Sequence, residues 1–300
     1  MRNRTIAFLG PAGTYTEQAA VLFDPYLMRI PCRDFSDVLD MVHNGKTDVG
    51  VIAIENMIQG MVRENLDLIY THHLHVQSEI LMPIRHALCA LKPDTAVKEV
   101  LGHPQALAQC RKYLKEHYPL AVQRETTSTA AGIQEIASHH LKYSAAIGSA
   151  FTAAKYGLPL LSDGIEDVAG NVTRFWVVGK QLIEKPEHDK FSLAFYFEKD
   201  KPGCLHQALA FFAEGAINLT CITSRPSLKD MGNYVFHIDL DGNLADSGVQ
   251  KALDGLRGFT DELQVIGSYL KGKPASKATA ASASLAGRSR IKDGVAAHDQ

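Results

Sequence analysis

Short apolar runs alternate with amphipathic segments along the first part of the chain. Residues 5–9 form a continuous apolar run that stops at Gly10-Pro11, as a buried strand does. Residues 16–23 have helical composition behind a threonine, and residues 48–54 form a second apolar run of strand length. Because buried strands that alternate with helices form a mainly parallel sheet covered on both faces, the pattern predicts an α/β fold.

The same alternation continues to residue 178. It predicts helices over 35–42, 64–70, 104–116, 128–137 and 149–156, and strands over 76–81, 87–91, 97–101, 121–124, 145–148 and 175–178. The proline at 104 supports a helix that begins there, because proline is favoured at the first helical position.

The pattern changes after Gly179. Segment 184–190 is polar and has the composition of a linker. Beyond it, strands and helices are predicted in the order β-α-β-β-α-β, the plan of a ferredoxin-like module: 191–197, 203–214, 217–223, 233–240, 249–256 and 263–269. The sequence therefore predicts an α/β region over 1–182, a module over 190–270, and a low-complexity, disordered tail over 271–300.

Composition restricts the classes of partner. The 300 residues are 46% apolar and 21% charged with a net charge of −2, so no basic field attracts nucleic acid. No apolar run reaches the ~20 residues of a membrane span, and the apolar stretch near the N-terminus is too short for a secretory signal, so we expect a cytoplasmic protein. The five widely spaced cysteines predict reduced thiols, and His72, His73 and His75 lack the second ligand cluster of a metal site.

The loop from Gly10 to Thr16 joins a predicted strand to a predicted helix. Unpaired amides and the helix dipole make such a start a binding site for anions. Gly13 allows close approach of the backbone, and Thr14 adds a hydroxyl donor. The alternative is a structural turn.

Glu55 and Asn56 directly follow the buried strand 48–54. In an open parallel sheet this edge is where ligands bind, so the pair is a candidate site. The alternative is that either side chain caps the next segment.

Three further segments carry candidate residues. Thr173 and Arg174 lead into the strand 175–178, where Arg174 is suited to hold a carboxylate, although a solvated edge charge is the alternative. The hydroxyls of 126–129 lie at a helix start, where N-capping is the alternative. His103 and Gln109 lie on one predicted helix and are candidates for the same cleft.

Together these segments resemble prephenate dehydratases, in the same order and over nearly the whole foldable chain. The shared motifs are Gly10-Pro-Ala-Gly-Thr-Tyr15, Ile54-Glu-Asn56 with Gly60 and Val62 after it, His103-Pro-Gln-Ala-Leu-Ala-Gln-Cys110, Thr127-Ser-Thr129 and Asn171-Val-Thr-Arg-Phe175. The C-terminal module resembles ACT regulatory domains through Lys201-Pro-Gly-Cys-Leu205 and Ile222-Thr-Ser-Arg-Pro226.

The resemblance implies a catalytic region of two lobes, about 1–80 with 165–182 and 81–164, similar to a type II periplasmic binding protein. Prephenate is expected between the lobes, losing carbon dioxide and its ring hydroxyl to give phenylpyruvate. The resemblance implies that no cofactor is needed, because aromatisation drives the reaction.

The resemblance also implies roles for single residues. Thr173 is the leading candidate for the hydrogen-bond donor to the departing hydroxyl, assisted by Glu55, Asn56 and Gln109. The residues implied in substrate binding are Gly13, Thr14, Tyr15, Thr127, Ser128, Thr129, Arg174 and Phe175. Two hydroxyls common in the family are missing here, because Met57 and Gly102 stand at those positions.

In the module, the resemblance implies that phenylalanine binds across a subunit interface and lowers activity. The residues implied are Gly203, Cys204, Leu205, Thr223, Ser224, Arg225 and Pro226. Thr223 replaces the family's usual glutamate, which puts the strength of this regulation in question. Because ACT modules usually pair their sheets, we expect a homodimer or homotetramer.

Two other functions remain open at this stage. The first is arogenate dehydratase, which carries out the same elimination on the aminated substrate. The second is a catalytically silent amino-acid sensor on the same fold, which the departures at Met57 and Gly102 favour and the retained Glu55, Asn56 and Thr173 oppose.

Overall fold

Strands and helices alternate along the chain up to Gly179, as the apolar pattern predicts. The structure is a computed structural model, and it describes residues 4–198, 201–226 and 234–274. The elements up to Gly179 are β1 (Thr5–Leu9), α1 (Tyr15–Phe23), β2 (Met28–Cys32), α2 (Phe35–His43), β3 (Val49–Asn56), β4 (Gly60–Met61), α3 (Arg63–His72), β5 (His75–Pro83), β6 (Ala87–Ala90), β7 (Glu99–Gly102), α4 (Pro104–Gln109), α5 (Arg111–His117), β8 (Val122–Glu125), α6 (Thr129–His139), β9 (Ser144–Gly148), α7 (Ala150–Lys155), β10 (Leu160–Asp163) and β11 (Val172–Gly179). The later elements are β12 (Lys190–Tyr196), α8 (Cys204–Glu214), β13 (Leu219–Pro226), β14 (Tyr234–Asp241), α9 (Ser247–Phe259) and β15 (Glu262–Tyr269).

The largest local difference from prediction is in the helix expected over 104–116. The structure divides it into α4 and α5, because the backbone at Cys110 leaves the helical region with φ −112° and ψ 16°. Strands β2, β4 and β10 were not predicted. In β2 the apolar pattern is interrupted by Arg29 and Pro31, which explains why it was missed. From residue 275 onward, the predicted tail lies outside the residues that the structure describes.

The described residues form two compact units whose boundaries differ from those of the predicted lobes and module. The first unit contains residues 4–34 and 82–173 with Pro274, and the second contains 35–81 and 174–273. Each unit is described by itself below.

The first unit contains a sheet of five strands in the order β10-β6-β9-β7-β8, and a parallel pair of β1 with β2. This sheet is mixed, because β7 pairs in parallel with β8 and β9 whereas β6 is antiparallel to β9 and β10. Leu88 packs in one apolar cluster with Leu107, whereas the next residue, Cys89, packs in another with Ile133 and Ile136. Successive side chains of a strand point to opposite faces, so helices cover both faces of this sheet, as predicted.

In the second unit the strands follow the order β13-β14-β12-β15-β5-β11-β3. The C-terminal elements occur in the predicted order β-α-β-β-α-β, and their four strands are antiparallel around a core that includes Phe191, Phe212 and Leu253. Strand β15 then pairs in parallel with β5 through Gly267 and Val76. A Cβ on Gly267 would lie 2.5 Å from the Val76 carbonyl oxygen, so only glycine permits this approach. The shared sheet explains why residues 35–81 group with the C-terminal module.

His237 in β14 makes stability depend on pH. Its side chain is buried, with 7% of the residue exposed, and burial lowers its pKa to about 4. An unfolded histidine has a pKa of about 6.5, so between these values the unfolded chain binds the extra proton. The stabilisation associated with neutral His237 is therefore complete above about pH 6.5 and is lost as the pH falls toward 4.

We expect this group to lower the free energy of unfolding by about 2 kcal/mol between pH 7 and pH 5. Urea unfolding at both pH values measures the difference, and His237→Gln is expected to reduce the dependence by that amount. His139→Gln is the matched control, because His139 is exposed. An unchanged dependence in His237→Gln would contradict the assignment.

Candidate active site

The loop before α1 requires glycine at position 13. Gly13 has a φ of +99°, and a Cβ there would lie 2.6 Å from Cγ2 of Thr152. The Thr152 hydroxyl donates to the Gly13 carbonyl, and the Gly13 amide donates to Oε2 of Glu17 at 2.5 Å. Helix α7 and helix α1 therefore both hold this loop.

The anion at the start of α1 belongs to the protein itself. Glu17 is 2% exposed, and its carboxylate lies 3.3 Å from Nε of Arg29 and 2.6 Å from Nζ of Lys155. The Thr14 hydroxyl donates to the Leu9 carbonyl and accepts from the Glu17 amide, so Thr14 is the N-cap. The alternative of a structural turn is consistent with these bonds, and substrate binding by Gly13 and Thr14 stays a prediction.

Tyr15 and Gln109, both predicted site residues, are bridged by a histidine. The Tyr15 hydroxyl donates to the Arg85 carbonyl at 2.6 Å and lies 3.2 Å from Nδ1 of His86. Nε2 of His86 lies 2.8 Å from Oε1 of Gln109. Burial, with Glu166 second, raises the pKa of Tyr15, and burial lowers the pKa of His86. A protonated tyrosine and a neutral imidazole are therefore expected at neutral pH.

The other end of the Gln109 amide is unoccupied by the protein. Nε2 of Gln109 is buried and has no hydrogen-bond partner within the described ranges. The backbone carbonyl of Gln109 accepts from the backbone amide of Asp167 at 2.7 Å, which holds the end of α4 against the segment before β11. Because buried donors are almost always bonded, the free amide points to a ligand atom at this place.

The hydroxyl segment before α6 combines a cap with a groove. Ser128 is the N-cap of α6, accepting from the Ala131 amide at 3.0 Å, so capping describes Ser128. Thr127 lines a groove of about 480 Å³, and Thr129 is the first residue of the helix. Arg124 in the groove wall is paired with carboxylates on both sides, with distances of 2.9 and 2.7 Å. The groove is therefore lined by Thr127, and the positive charge of Arg124 in its wall is compensated by two carboxylates.

In the second unit, Asn56 ends β3 and stabilises the turn that follows it. Its Oδ1 accepts from the amides of Ile58 and Gln59 at 3.0 and 3.1 Å. Asn56 therefore caps the segment that follows the strand. Glu55 has a side chain 43% exposed, with Oε2 4.0 Å from Nη1 of Arg174. Glu55 thus retains an exposed carboxylate, as a group that meets a substrate requires.

Strand β11 carries the motif with Thr173. Thr173 is 8% exposed, while Phe175 is 2% exposed and belongs to the apolar core. An interior strand of the sheet buries the Phe175 side chain, and its role in substrate binding stays a prediction.

Arg174 is bonded to carboxylates of the protein. Its Nε donates to Oε1 of Glu79 at 2.6 Å, its Nη1 lies 2.6 Å from Oδ2 of Asp239, and its Nη2 donates to the Tyr269 hydroxyl at 3.2 Å. The guanidinium also lies over the Trp176 ring at 5.0 Å. A solvated edge charge does not describe Arg174, because β11 is an interior strand and this side chain is buried. Its role in binding a substrate carboxylate stays a prediction.

Lys190 completes a cluster of two cations and two carboxylates, which we call the Arg174 cluster (Glu79, Arg174, Lys190 and Asp239). Nζ of Lys190 lies 2.8 Å from Oε1 of Glu79. Burial alone would raise the pKa of Glu79, but Arg174 and Lys190 outweigh burial and lower it. Burial likewise opposes the charge of Arg174, and Asp239 reverses that effect, so the pKa of Arg174 is raised. Glu79 and Arg174 are therefore expected to stay ionised together at neutral pH.

The regulatory candidates occupy two places in the C-terminal module. Gly203 is the N-cap of α8 with a φ of +91°, and Cys204 and Leu205 begin that helix. Cys204 lines a groove of about 510 Å³ whose other lining residues are Phe197, Glu198, Lys201, Pro202, Gln207, Phe259 and Asp261. Thr223, Ser224, Arg225 and Pro226 end β13, where Arg225 pairs with Asp67 of α3 at 2.9 Å. Within one chain, the residues 223–226 do not line this groove.

In the described part of the chain, no group of three or more His, Cys, Asp or Glu side chains is arranged to hold a metal ion. No helix there has the length and apolar character needed to cross a membrane.

Sequence reasoning missed His86 and three members of the Arg174 cluster. Asp239 had a recognisable signal: it stands between Ile238 and Leu240 in an apolar strand, and a buried carboxylate needs a cation. Glu79 and Lys190 give a similar but weaker signal. His86 gives none, because a single histidine between two strands has no diagnostic spacing.

Removing one carboxylate from the Arg174 cluster is expected to destabilise the fold strongly. Asp239→Ala leaves Arg174 buried with less compensating charge, so the free energy of unfolding should fall by about 3–5 kcal/mol in denaturant titrations. Asp254→Ala is the matched control, since the Asp254–Arg257 pair is exposed and should contribute less than about 0.5 kcal/mol. Equal small effects in both variants would show that the cluster is not a stabilising constraint.

The chain was compared with protein families and with known proteins. The family model for prephenate dehydratase matches residues 6–182. The bifunctional chorismate mutase/prephenate dehydratase of Aquifex aeolicus is 39% identical over 268 residues, which cover 89% of this chain and 73% of that protein. Arogenate dehydratase 3 of Arabidopsis thaliana is 36% identical, with coverage of 89% and 67%.

A solved structure agrees with these matches. The crystal structure of prephenate dehydratase from Arthrobacter aurescens in complex with L-Phe is similar with a TM-score of 0.81 and 35% sequence identity, covering 93% of this chain and 95% of that chain. The family match over more than half of the chain and the relatives above 30% identity lead to one conclusion: this chain belongs to the prephenate dehydratase family.

Proposed function

We propose that the protein is a prephenate dehydratase, a carbon–oxygen lyase that converts prephenate to phenylpyruvate in phenylalanine biosynthesis. The observation that carries the proposal is the family match over residues 6–182, which contains every candidate catalytic residue. Those residues are Glu55, Asn56, Gln109 and Thr173. The cytoplasmic location stays a prediction.

The reaction couples two bond cleavages. As the ring C–O bond breaks, the electron pair of the bond to the ring carboxylate enters the ring, carbon dioxide leaves, and the hydroxyl takes up a proton and leaves as water. Thr173 is proposed to donate a hydrogen bond to the departing hydroxyl. A threonine hydroxyl is a weak acid, so its proposed role is hydrogen-bond donation, and the exposed side chain of Glu55 is proposed to assist the transfer.

The two carboxylates of prephenate need hydrogen-bond donors. Arg174 and the Gly13 amide are bonded to protein carboxylates. Thr127 in its groove and the free amide of Gln109 are the proposed receivers. A substrate oxygen at the Gln109 amide would satisfy the buried donor.

Arogenate dehydratase is the second candidate, favoured by the 36% identity to the Arabidopsis enzyme. Arogenate has the same ring carboxylate and hydroxyl as prephenate and carries an amine in place of the side-chain keto group. The proposed roles of Thr173 and Gln109 concern the shared groups, so both substrates fit them. Side-by-side measurement of kcat/KM for the two substrates discriminates between the candidates.

We further propose a two-lobed catalytic region of the type II periplasmic-binding-protein kind and a ferredoxin-like ACT module at the C-terminus. The sheet order β13-β14-β12-β15 with α8 and α9 supports the module. Phenylalanine is the proposed effector, in line with the L-Phe complex of the Arthrobacter enzyme. Its proposed site includes the turn at Gly203 and the groove that Cys204 lines. A homodimer or homotetramer stays a prediction.

Thr173 provides the first test of this function. Thr173→Ala removes the hydroxyl and is expected to lower kcat for prephenate by about 100-fold or more, as loss of proton-transfer assistance does. Thr173→Ser keeps the hydroxyl and is the matched control, with most of the rate retained. Phenylpyruvate formation is the measurement. Equal rates for wild type and Thr173→Ala would remove Thr173 from the chemistry.

Phenylalanine provides the second test. L-Phenylalanine at millimolar concentration is expected to bind in calorimetry and to lower the steady-state turnover of prephenate, whereas D-phenylalanine should do neither. No binding and no inhibition by the L form would contradict the regulatory proposal. Binding without any turnover of prephenate or arogenate would instead favour the amino-acid sensor.

A further inference from the structure

We propose that His86 is a positioning residue for this elimination: it fixes the side-chain amide of Gln109, and Tyr15 in turn holds its ring. The inference deepens the proposed function and rests on it. His86 does not contact substrate in this account, and its effect on the reaction passes through Gln109.

The backbone of His86 is held on both sides. Its amide donates to Oε2 of Glu166 at 2.9 Å, and its carbonyl accepts from the amides of Gly164 and Ile165 at 2.9 and 3.0 Å. Only 3% of the residue is exposed. The imidazole therefore projects from an anchored backbone, which is what precise orientation of a neighbour requires.

Both ring nitrogens of His86 face a partner. Nε2 lies 2.8 Å from Oε1 of Gln109, and Nδ1 lies 3.2 Å from the Tyr15 hydroxyl. A neutral imidazole has one donor and one acceptor nitrogen. The tautomer with hydrogen on Nε2 fits both contacts: Nε2–H donates to Gln109, and Nδ1 accepts from Tyr15, whose hydrogen is shared with the Arg85 carbonyl.

This tautomer determines which end of the Gln109 amide is available. With Oε1 bound to His86, the NH₂ group is the free end, and Nε2 of Gln109 is the buried atom without a partner in the part of the chain that the structure describes. A free donor suits a substrate with two carboxylates and a departing hydroxyl. Without the bond from His86, the amide could rotate and present its oxygen to the anion instead.

Two substitutions separate the two ends of the imidazole. The side-chain amide of glutamine reaches the position of Nε2, whereas that of asparagine reaches the position of Nδ1. His86→Asn is therefore expected to lose the bond to Gln109 and to lower kcat/KM for prephenate by about tenfold or more. His86→Gln is expected to restore most of the wild-type value, although it loses the contact with Tyr15. His139→Asn on α6 is the exposed control and should equal wild type.

A double-mutant cycle tests whether His86 acts through Gln109. In the Gln109→Ala background, adding His86→Asn is expected to cause no further loss of kcat/KM, because the group it positions is gone. Tyr15→Phe serves as the milder second variant if His86→Asn fails to fold. Tyr15→Phe is expected to lower kcat/KM less than His86→Asn does, and to cause no further loss in the Gln109→Ala background.

The outcomes separate this inference from the function on which it rests. If wild type is active, three results would each overturn the role of His86 alone. The first is that His86→Asn is as active as wild type, the second that His86→Gln is as impaired as His86→Asn, and the third that the losses add in the double variant. Wild type inactive on both prephenate and arogenate would overturn the proposed function, and the role of His86 would fall with it.

Discussion

The buried charges of the Arg174 cluster constrain how the second unit is built. The three buried charged side chains and the partly buried Lys190 must each lie beside an opposite charge, since an unpaired buried ion costs several kcal/mol. Arg174 comes from β11, Glu79 from β5, Lys190 from β12 and Asp239 from β14, so these strands must keep their register for the charges to meet. Arg174 directly follows Thr173, the proposed hydrogen-bond donor, in β11.

Much of the fold could be predicted because short apolar runs and helical spacing are local properties. The element order of the C-terminal module is an example. The continuation of its sheet into β5 could not be predicted, because it depends on the contact of Gly267 with a strand far away in the sequence. The break at Cys110 was also missed, since residues 104–116 have continuous helical composition and the division shows only in the backbone dihedral angles of Cys110.

The candidate site shows a similar limit. The motifs identified Thr173, Glu55, Asn56 and Gln109, and the family match supports the same reaction. A motif does not reveal which partner a side chain meets. The Gly13 amide donates to Glu17, and the Arg174 guanidinium pairs with Asp239. These carboxylates are brought to the donors by the fold. In contrast, Oε1 of Gln109 is bonded to His86 and its Nε2 has no partner among the described residues, an arrangement that the sequence did not indicate.

We propose that one cyclohexadiene ring loses its hydroxyl and its carboxylate in a single coupled elimination, assisted by a donor on β11 and an oriented amide at the end of α4. Product stoichiometry with the purified full chain tests it most directly. Incubation with prephenate should release phenylpyruvate and carbon dioxide in equal amounts. Release of neither product from prephenate, and no carbon dioxide from arogenate, would contradict the account.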